Sequence, residues 1–148
     1  MRGYFANDSE TGKAIDADGW LKSGDLGQVR QDGKLVLSGG RLKDMIIRGG
    51  ENIYPAEVER ILLSHPAVSE VAVFGIKDDH FGEIVAAAVR GGNVSGGELS
   101  DHCASRIAKY KIPTKYFRIE AFPLTPSGKI RKVALREMVA DGKLDDLA

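Results

Sequence analysis

Residues 45–74 read MIIRGGENIYPAEVERILLSHPAVSEVAVF, and their periodicity sets the fold class. Met45-Ile46-Ile47 is a short apolar run stopped by Gly49-Gly50, which predicts a strand. Pro55 suits the first turn of a helix, where its missing N–H costs nothing. Val58, Ile61 and Leu62 then recur at i, i+3 and i+4 and form one apolar face, while Glu57, Glu59 and Arg60 take the other faces. Pro66 closes that helix. Val71-Ala72-Val73-Phe74 predicts the next strand, so the stretch reads strand, helix, strand.

Towards the C-terminus, residues 84–89 are wholly apolar (IVAAAV) and predict a further strand, reached through a loop carrying Asp78, Asp79, His80 and Gly82. Ser95 with Glu98 three residues on has the form of a capping box. Leu99, Cys103 and Ile107 at i, i+4 and i+8 predict a second amphipathic helix that Pro113 stops. Residues 116–119 predict a last strand. A loop from Pro123 to Gly128 precedes a third helix with Leu135, Met138 and Val139 on its buried side. Towards the N-terminus, Val29-Arg30-Gln31 and Leu35-Val36-Leu37 flank Asp32-Gly33, a hairpin signal, and Gly39-Gly40 marks its end. Residues 1–24, rich in Gly, Asp and Ser, predict irregular surface chain. The sum is an α+β domain: a small mixed or antiparallel sheet with about three helices on one side, preceded by a β-hairpin.

The 148 residues are 43% hydrophobic and 28% charged, the balance of a globular chain rather than a disordered one. Lys+Arg and Asp+Glu are equal at 21 each. No global basic field exists to attract nucleic acid or anionic lipid. The single cysteine, Cys103, excludes an intrachain disulfide and any multi-cysteine metal site. It fits a reducing, cytoplasmic setting. The first 15 residues lack a basic start followed by a long apolar stretch. No apolar run exceeds residues 84–89, far short of the roughly 20 that a membrane span needs. Composition and periodicity name no function.

Three segments carry a resemblance. Residues 19–27 read GWLKSGDLG, residues 40–59 read GRLKDMIIRGGENIYPAEVE, and residues 124–131 read LTPSGKIR. In order and spacing they resemble the adenylate-forming superfamily of acyl-CoA synthetases, luciferases and peptide-synthetase adenylation domains, over essentially the whole chain. Gly-Gly-Glu-Asn-Ile-Tyr-Pro resembles the CoA ligases within it. The resemblance implies a reaction in two steps. A carboxylate attacks the α-phosphate of Mg-ATP to give acyl-adenylate and pyrophosphate; a thiol then attacks the acyl carbon and expels AMP. It implies ATP, Mg2+ and CoA as cofactors and substrates of a full-length enzyme, none of them held tightly by this chain, and no metal ligands here.

By the same resemblance Lys129 supplies positive charge for adenylation, where two anions approach each other. Gly128 lets its loop turn. Asp25 accepts hydrogen bonds from the ribose hydroxyls and Arg41 donates to the ribose or phosphate region. Ser23 stands where the family usually has Thr. Lys43 occupies the hinge, at which a backbone torsion swings the C-terminal lid between two poses. Gly49 and Gly50 let the backbone pass close to the pantetheine arm of CoA, with Glu51 and Asn52 orienting that loop. Each residue also has a plainer reading: a solvated lysine, a turn aspartate, a strand-ending glycine pair. Arg131 and Lys132 are expected on the helix surface. Asp78, Asp79 and His80 read as solvated loop, His65 as a helix-end residue, and adjacent His102 and Cys103 as facing different directions, with Cys103 in the core.

The implied domains are residues 1–42, the tail of an N-terminal adenylation domain, and residues 43–148, the C-terminal lid. The superfamily's Ser/Thr/Gly-rich phosphate loop and acyl pocket lie upstream of these segments, and no Walker-type loop replaces them. Met1-Arg2-Gly3-Tyr4-Phe5 resembles an internal stretch, which makes Met1 an internal methionine of a longer enzyme. The expected function is therefore the lid of an AMP-forming carboxylate–CoA ligase, inactive alone. Its partners are the missing N-terminal domain, a carboxylic acid and CoA. The alternative is a stand-alone module that pairs with a separate N-terminal domain or binds CoA or AMP without catalysis. Without a partner domain, Trp20 and Leu26 are expected to be exposed, and residues 1–42 to be disordered or to form a homodimer.

Overall fold

The computed structural model describes residues 1–147. A short helix α1 (Asp8–Ala14) is followed by strands β1 (Asp25–Val29) and β2 (Leu35–Arg41), a 3-10 turn (Leu42–Asp44), β3 (Ile46–Arg48), β4 (Glu51–Ile53) and helix α2 (Pro55–Leu63). Then come β5 (Val68–Asp78), β6 (Gly82–Gly91), α3 (Gly96–Ala104), a second 3-10 turn (Lys109–Lys111), β7 (Lys115–Arg118), α4 (Lys132–Ala140) and β8 (Asp145–Asp146).

The fold class is α+β. β1 and β2 form a two-stranded antiparallel sheet by themselves. The larger sheet runs β4-β3-β6-β7-β8, with β5 along β6. β5 and β6 form a long antiparallel hairpin from Val68↔Gly91 to Asp78↔Gly82. β6 and β7 are parallel. A parallel pair needs a crossover, and α3 supplies it.

The helices are not confined to one side, which corrects the sequence reading. Val71, Val73, Val85, Ala87 and Val89 share one buried cluster with Val58 and Leu62 of α2 and Leu99 and Cys103 of α3. The alternate residues Ala72, Phe74, Ala86 and Ala88 share a second cluster with Phe117, Ile119 and Leu135 of α4. Side chains alternate across a strand, so an uninterrupted apolar run such as 84–89 marks a strand buried on both faces. The run itself contained that signal.

Other differences are local. Residues 1–24 include α1, capped by the Asn7 side chain, which accepts from the Glu10 N–H. The hairpin turns through three residues rather than two. Arg30 and Lys34 are bonded, and Gly33 takes φ +77° to close the loop. β2 continues through Gly39-Gly40 to Arg41 instead of ending there. Gly49-Gly50 do not simply stop β3: both have positive φ, +56° and +88°, and they turn the chain into β4. α2 stops at Leu63 and α3 at Ala104, ahead of the prolines expected to end them. Among the described residues no helix is long and apolar enough to cross a membrane.

The capping box at α3 is formed as expected. Glu98 N–H donates to Ser95 Oγ at 3.2 Å, and Ser95 N–H donates to Glu98 Oε2 at 2.9 Å. The Ser95 N–H, and secondly its hydroxyl, hold the Glu98 carboxyl below its usual range. A carboxylate with a depressed folded pKa adds stability above its unfolded pKa and loses it as pH falls through the folded value. Ser95→Ala removes both bonds of the hydroxyl, the one it donates to Glu98 Oε2 and the one it accepts from the Glu98 N–H, and leaves the Ser95 N–H bond to the carboxylate. NMR titration of the Glu98 carboxyl then gives a midpoint moved part of the way back up; an unmoved midpoint removes the hydroxyl as a cause.

Candidate functional site

The segment carrying Lys129 is a closed turn. Thr125 N–H donates to Lys129 O at 2.8 Å, and Gly128 N–H to Thr125 O at 2.9 Å. Lys129 N–H donates to Thr125 Oγ1 at 3.0 Å, while Thr125 and Ser127 hydroxyls lie 2.9 Å apart. Gly128 has φ +78°, a conformation that a side chain would strain. Below the turn, Leu124 and Ile130 form an antiparallel bridge, and Arg131 N–H donates to Pro123 O at 2.8 Å. Lys129 is exposed at the tip. Thr125 is a residue the sequence reading missed. Its signal was a hydroxyl four residues before the lysine, in a loop with Pro126 and Gly128.

Asp25 and Arg41 are cross-strand partners on β1 and β2. Arg41 Nε donates to Asp25 Oδ1 at 3.1 Å, and both side chains remain partly open to solvent. The Asp25 N–H donates to Ser23 Oγ at 3.1 Å, so the hydroxyl at that position orients the turn before β1. Lys43 lies in the 3-10 turn directly after β2 and is exposed.

Arg41, Lys43 and Lys129 line one cleft of about 490 Å3, together with Asp44, Thr125, Arg131 and Lys132. Residues far apart in sequence thus bring several cations to one open space. Fixed cations in a cleft suit a ligand that carries phosphate. Lys132, expected on the helix surface, is instead partly buried in an ion pair. Its Nζ lies 2.7 Å from Glu59 Oε1, and its side chain is only 16% exposed.

Gly49, Gly50 and Glu51 are not among the residues lining that cleft. Gly49 N–H donates to Phe81 O at 2.9 Å, and a Cβ on Gly49 would sit 3.3 Å from the Phe81 ring. The Arg48 guanidinium stacks on that ring at 4.4 Å, and Arg48 Nη1 donates to Tyr110 O at 3.3 Å. Arg48 and Tyr110, with Lys109, Lys115 and Asp146, line a second groove, about 940 Å3. The glycine turn therefore connects through Phe81 and Arg48 to a groove whose lining includes Arg48, Lys109 and Lys115, the last paired with Asp146 at 3.9 Å. Sequence reading missed Arg48 and Phe81, since their pairing spans 33 residues and no local pattern encodes it.

The remaining candidates keep their plain roles. Asp78 Oδ1 accepts from the His80 and Phe81 N–H groups and shapes a turn. Among the described residues no group of three or more His, Cys, Asp or Glu could hold a metal. Cys103 is fully buried, and burial pushes its thiol up. His102 Nε2 lies 3.1 Å from Ile61 O at the end of α2, and its ring meets His65 edge-on at 5.0 Å. Trp20 is 75% exposed. Leu26 is half-buried instead of exposed, because it lines a space with Tyr54, Ala56 and Arg60 at α2.

Residues 57–129 match the AMP-binding enzyme C-terminal domain family, and the curated relatives that the chain matches are acyl-CoA synthetases and CoA ligases. It is 45% identical over 139 residues to the long-chain-fatty-acid–CoA ligase FadD13 of Mycobacterium tuberculosis (strain ATCC 25618 / H37Rv), covering 93% of this chain and 27% of that protein. It is 45% identical over 148 residues to the 2-succinylbenzoate–CoA ligase of Bacillus subtilis (strain 168), covering 99% of this chain and 29% of that protein. The chain spans about a quarter of the length of the curated relatives it matches.

Two solved structures of the Bacillus subtilis O-succinylbenzoate-CoA synthetase differ as templates. The complex with AMP matches at TM-score 0.84 with 43% identity, over 99% of this chain and 29% of that one. A double mutant bound to the product analogue OSB-NCoA matches at TM-score 0.67 with 42% identity, over 100% and 30%. The chain superposes more completely on the AMP complex than on the product-analogue complex.

Proposed function

We propose that this chain is the lid segment of an AMP-forming carboxylate–CoA ligase, with residues 1–42 continuing an N-terminal adenylation domain and residues 43–148 forming the lid. The observation that carries this is the shared cleft of Arg41, Lys43 and Lys129. Charge builds where a carboxylate meets an α-phosphate, and a preorganised ammonium stabilises it without reorganising. The Thr125–Lys129 turn supplies such an ammonium on a fixed stem. The exposed carboxylate of Asp25 accepts from ribose hydroxyls, and Arg41, which it orients, donates towards the phosphate end. ATP with Mg2+ brings the phosphoryl chemistry when bound. Catalysis requires an N-terminal domain in addition to this chain.

Lys43 is the hinge. The closer match to an AMP complex than to a product-analogue complex supports reading the present pose as the adenylation pose. The second pose would use the Gly49-Gly50 turn, where bare backbone leaves room for the pantetheine arm. The adjoining groove, with Arg48, Lys109 and Lys115, suits the anionic nucleotide end of CoA. The exposed apolar face of the hairpin, including Val29, Leu35 and Leu37, is where the N-terminal domain would pack. A second copy of the chain competes for it when that domain is missing.

The test measures the two half-reactions. The chain alone gives no ATP–pyrophosphate exchange with Mg2+ and a panel of carboxylic acids. Paired with the N-terminal domain of a relative, it exchanges. Gly49→Leu then lowers thioester formation at least 10-fold more than exchange, because φ +56° and the Phe81 ring leave no place for the side chain. Exchange by the chain alone overturns the lid reading, and equal loss in both half-reactions overturns the role of the glycine turn.

A further inference from the structure

α4 begins against its own local rules. Lys132 is its first residue, Arg131 its N-cap makes no side-chain capping bond, and its first turn holds no acidic residue. Cations at a helix N-terminus oppose the helix dipole, and an uncapped start leaves backbone N–H groups unpaired. A rule broken beside a functional loop, with a compensating contact elsewhere, marks a position held for a purpose.

The compensating contact is Glu59, on α2. Its Oε1 accepts from Lys132 Nζ at 2.7 Å and from the Val73 N–H of β5 at 2.9 Å. One carboxylate oxygen therefore ties α2, the edge of β5 and the start of α4. Glu59 and Lys132 are 22% and 16% exposed. A partly buried, charge-assisted bond of this kind is short and directional, unlike an exposed pair. Lys132 lies three residues after Lys129. Between them stand Ile130, bridged to Leu124, and Arg131, bonded to Pro123. The bonds from Thr125 to Lys129 fix the shape of the turn. They do not fix its direction relative to the sheet, which depends on what anchors its two stems.

We infer that Glu59 is a positioning residue for Lys129, acting through Lys132 to fix the outgoing stem of the lysine turn against α2 and β5. The inference rests on the proposed role of Lys129. It adds a tether 73 residues away in sequence, on the helix that follows the Gly49-Gly50 turn. Both working loops are in this way referred to one helix.

The test uses two variants of the full chain. Lys132→Met keeps the stem's length and removes the ammonium; Lys132→Arg keeps the charge. Hydrogen exchange by NMR is read at the Lys129 and Arg131 amides, with the Val73 amide, still held by Glu59, as the reference. Lys132→Met raises exchange at Arg131, whose bond to Pro123 joins the two stems, at least 10-fold while Val73 and Lys129, which is held by Thr125 within the turn, are unchanged, and Lys132→Arg restores protection. In the enzyme paired with an N-terminal domain, Lys132→Met lowers kcat for adenylation about 10-fold with KM for the acid unchanged. Unchanged exchange at Arg131 in Lys132→Met overturns the positioning role. So does restored protection without restored kcat in Lys132→Arg. Failure of the parent reading shows differently: Lys129→Ala would adenylate normally, whatever the exchange data say about the tether.

Discussion

Lys129→Ala in the paired enzyme lowers ATP–pyrophosphate exchange about 100- to 1000-fold, the loss expected when one preorganised charge-stabilising group is removed from a reacting centre. The turn should survive the change. Its bonds use the Lys129 N–H and C=O, the Thr125 hydroxyl and the Gly128 N–H, none of which is in the lysine side chain. An exposed side chain at the tip leaves no cavity when shortened. Thermal unfolding of the variant chain should therefore match the parent, so the loss can be assigned to chemistry. On the proposed two-pose mechanism, thioester formation from supplied acyl-adenylate should fall far less, because Lys129 serves the first pose. Normal exchange by Lys129→Ala would remove this residue from the mechanism.

Phe74→Ala destabilises the chain by about 3–5 kcal/mol, seen as a lower urea midpoint with an unchanged slope. Phe74 is fully buried in the second cluster. Its neighbours include Ala72, Ala86 and Ala88, which have no side-chain length with which to fill a void. The site therefore collapses poorly, which places the cost towards the upper end of that range. For a domain of this size the melting temperature falls by roughly 10–20 °C. A loss below about 1 kcal/mol would mean that the α4 face of the sheet is not a real core.

The sheet and its main helices were legible because each has a clean period. Val58 and Leu62 at helical spacing are both fully buried, and the capping box at Ser95 and Glu98 forms as its spacing implied. What escaped was set by tertiary contact. Gly39-Gly40 look like a breaker locally, but pairing of Asp25 with Arg41 carries β2 through them. α3 ends well before Pro113, since residues 105–114 must carry the chain back beside β6 and pack Ile107, Tyr110 and Ile112 on the first core as they do so. At the candidate site, Asp25, Arg41, Lys43 and Lys129 were singled out from motif resemblance, and the fold brings the last three to one cleft. Glu59, Lys132, Arg48 and Phe81 were not singled out. Their meaning lies in pairings 33 to 73 residues apart, which no local period encodes.

The burial of β6 on both faces also sets when the chain can fold. Its first face meets α2 early, but its second waits for Phe117, Ile119 and Leu135. About 50 residues separate the end of β6 from the end of α4. At about 5–20 residues per second, a ribosome takes a few seconds to ten to deliver them. The Phe74 and Ala86 face is uncovered until Phe117 and Ile119 arrive with β7 midway, and it lacks Leu135 until the end of that interval. Long-range pairing of this kind folds slowly and exposes apolar surface while it waits. Nascent chains arrested before residue 130 are thus the form of this protein that a chaperone would hold, and release should coincide with the emergence of α4.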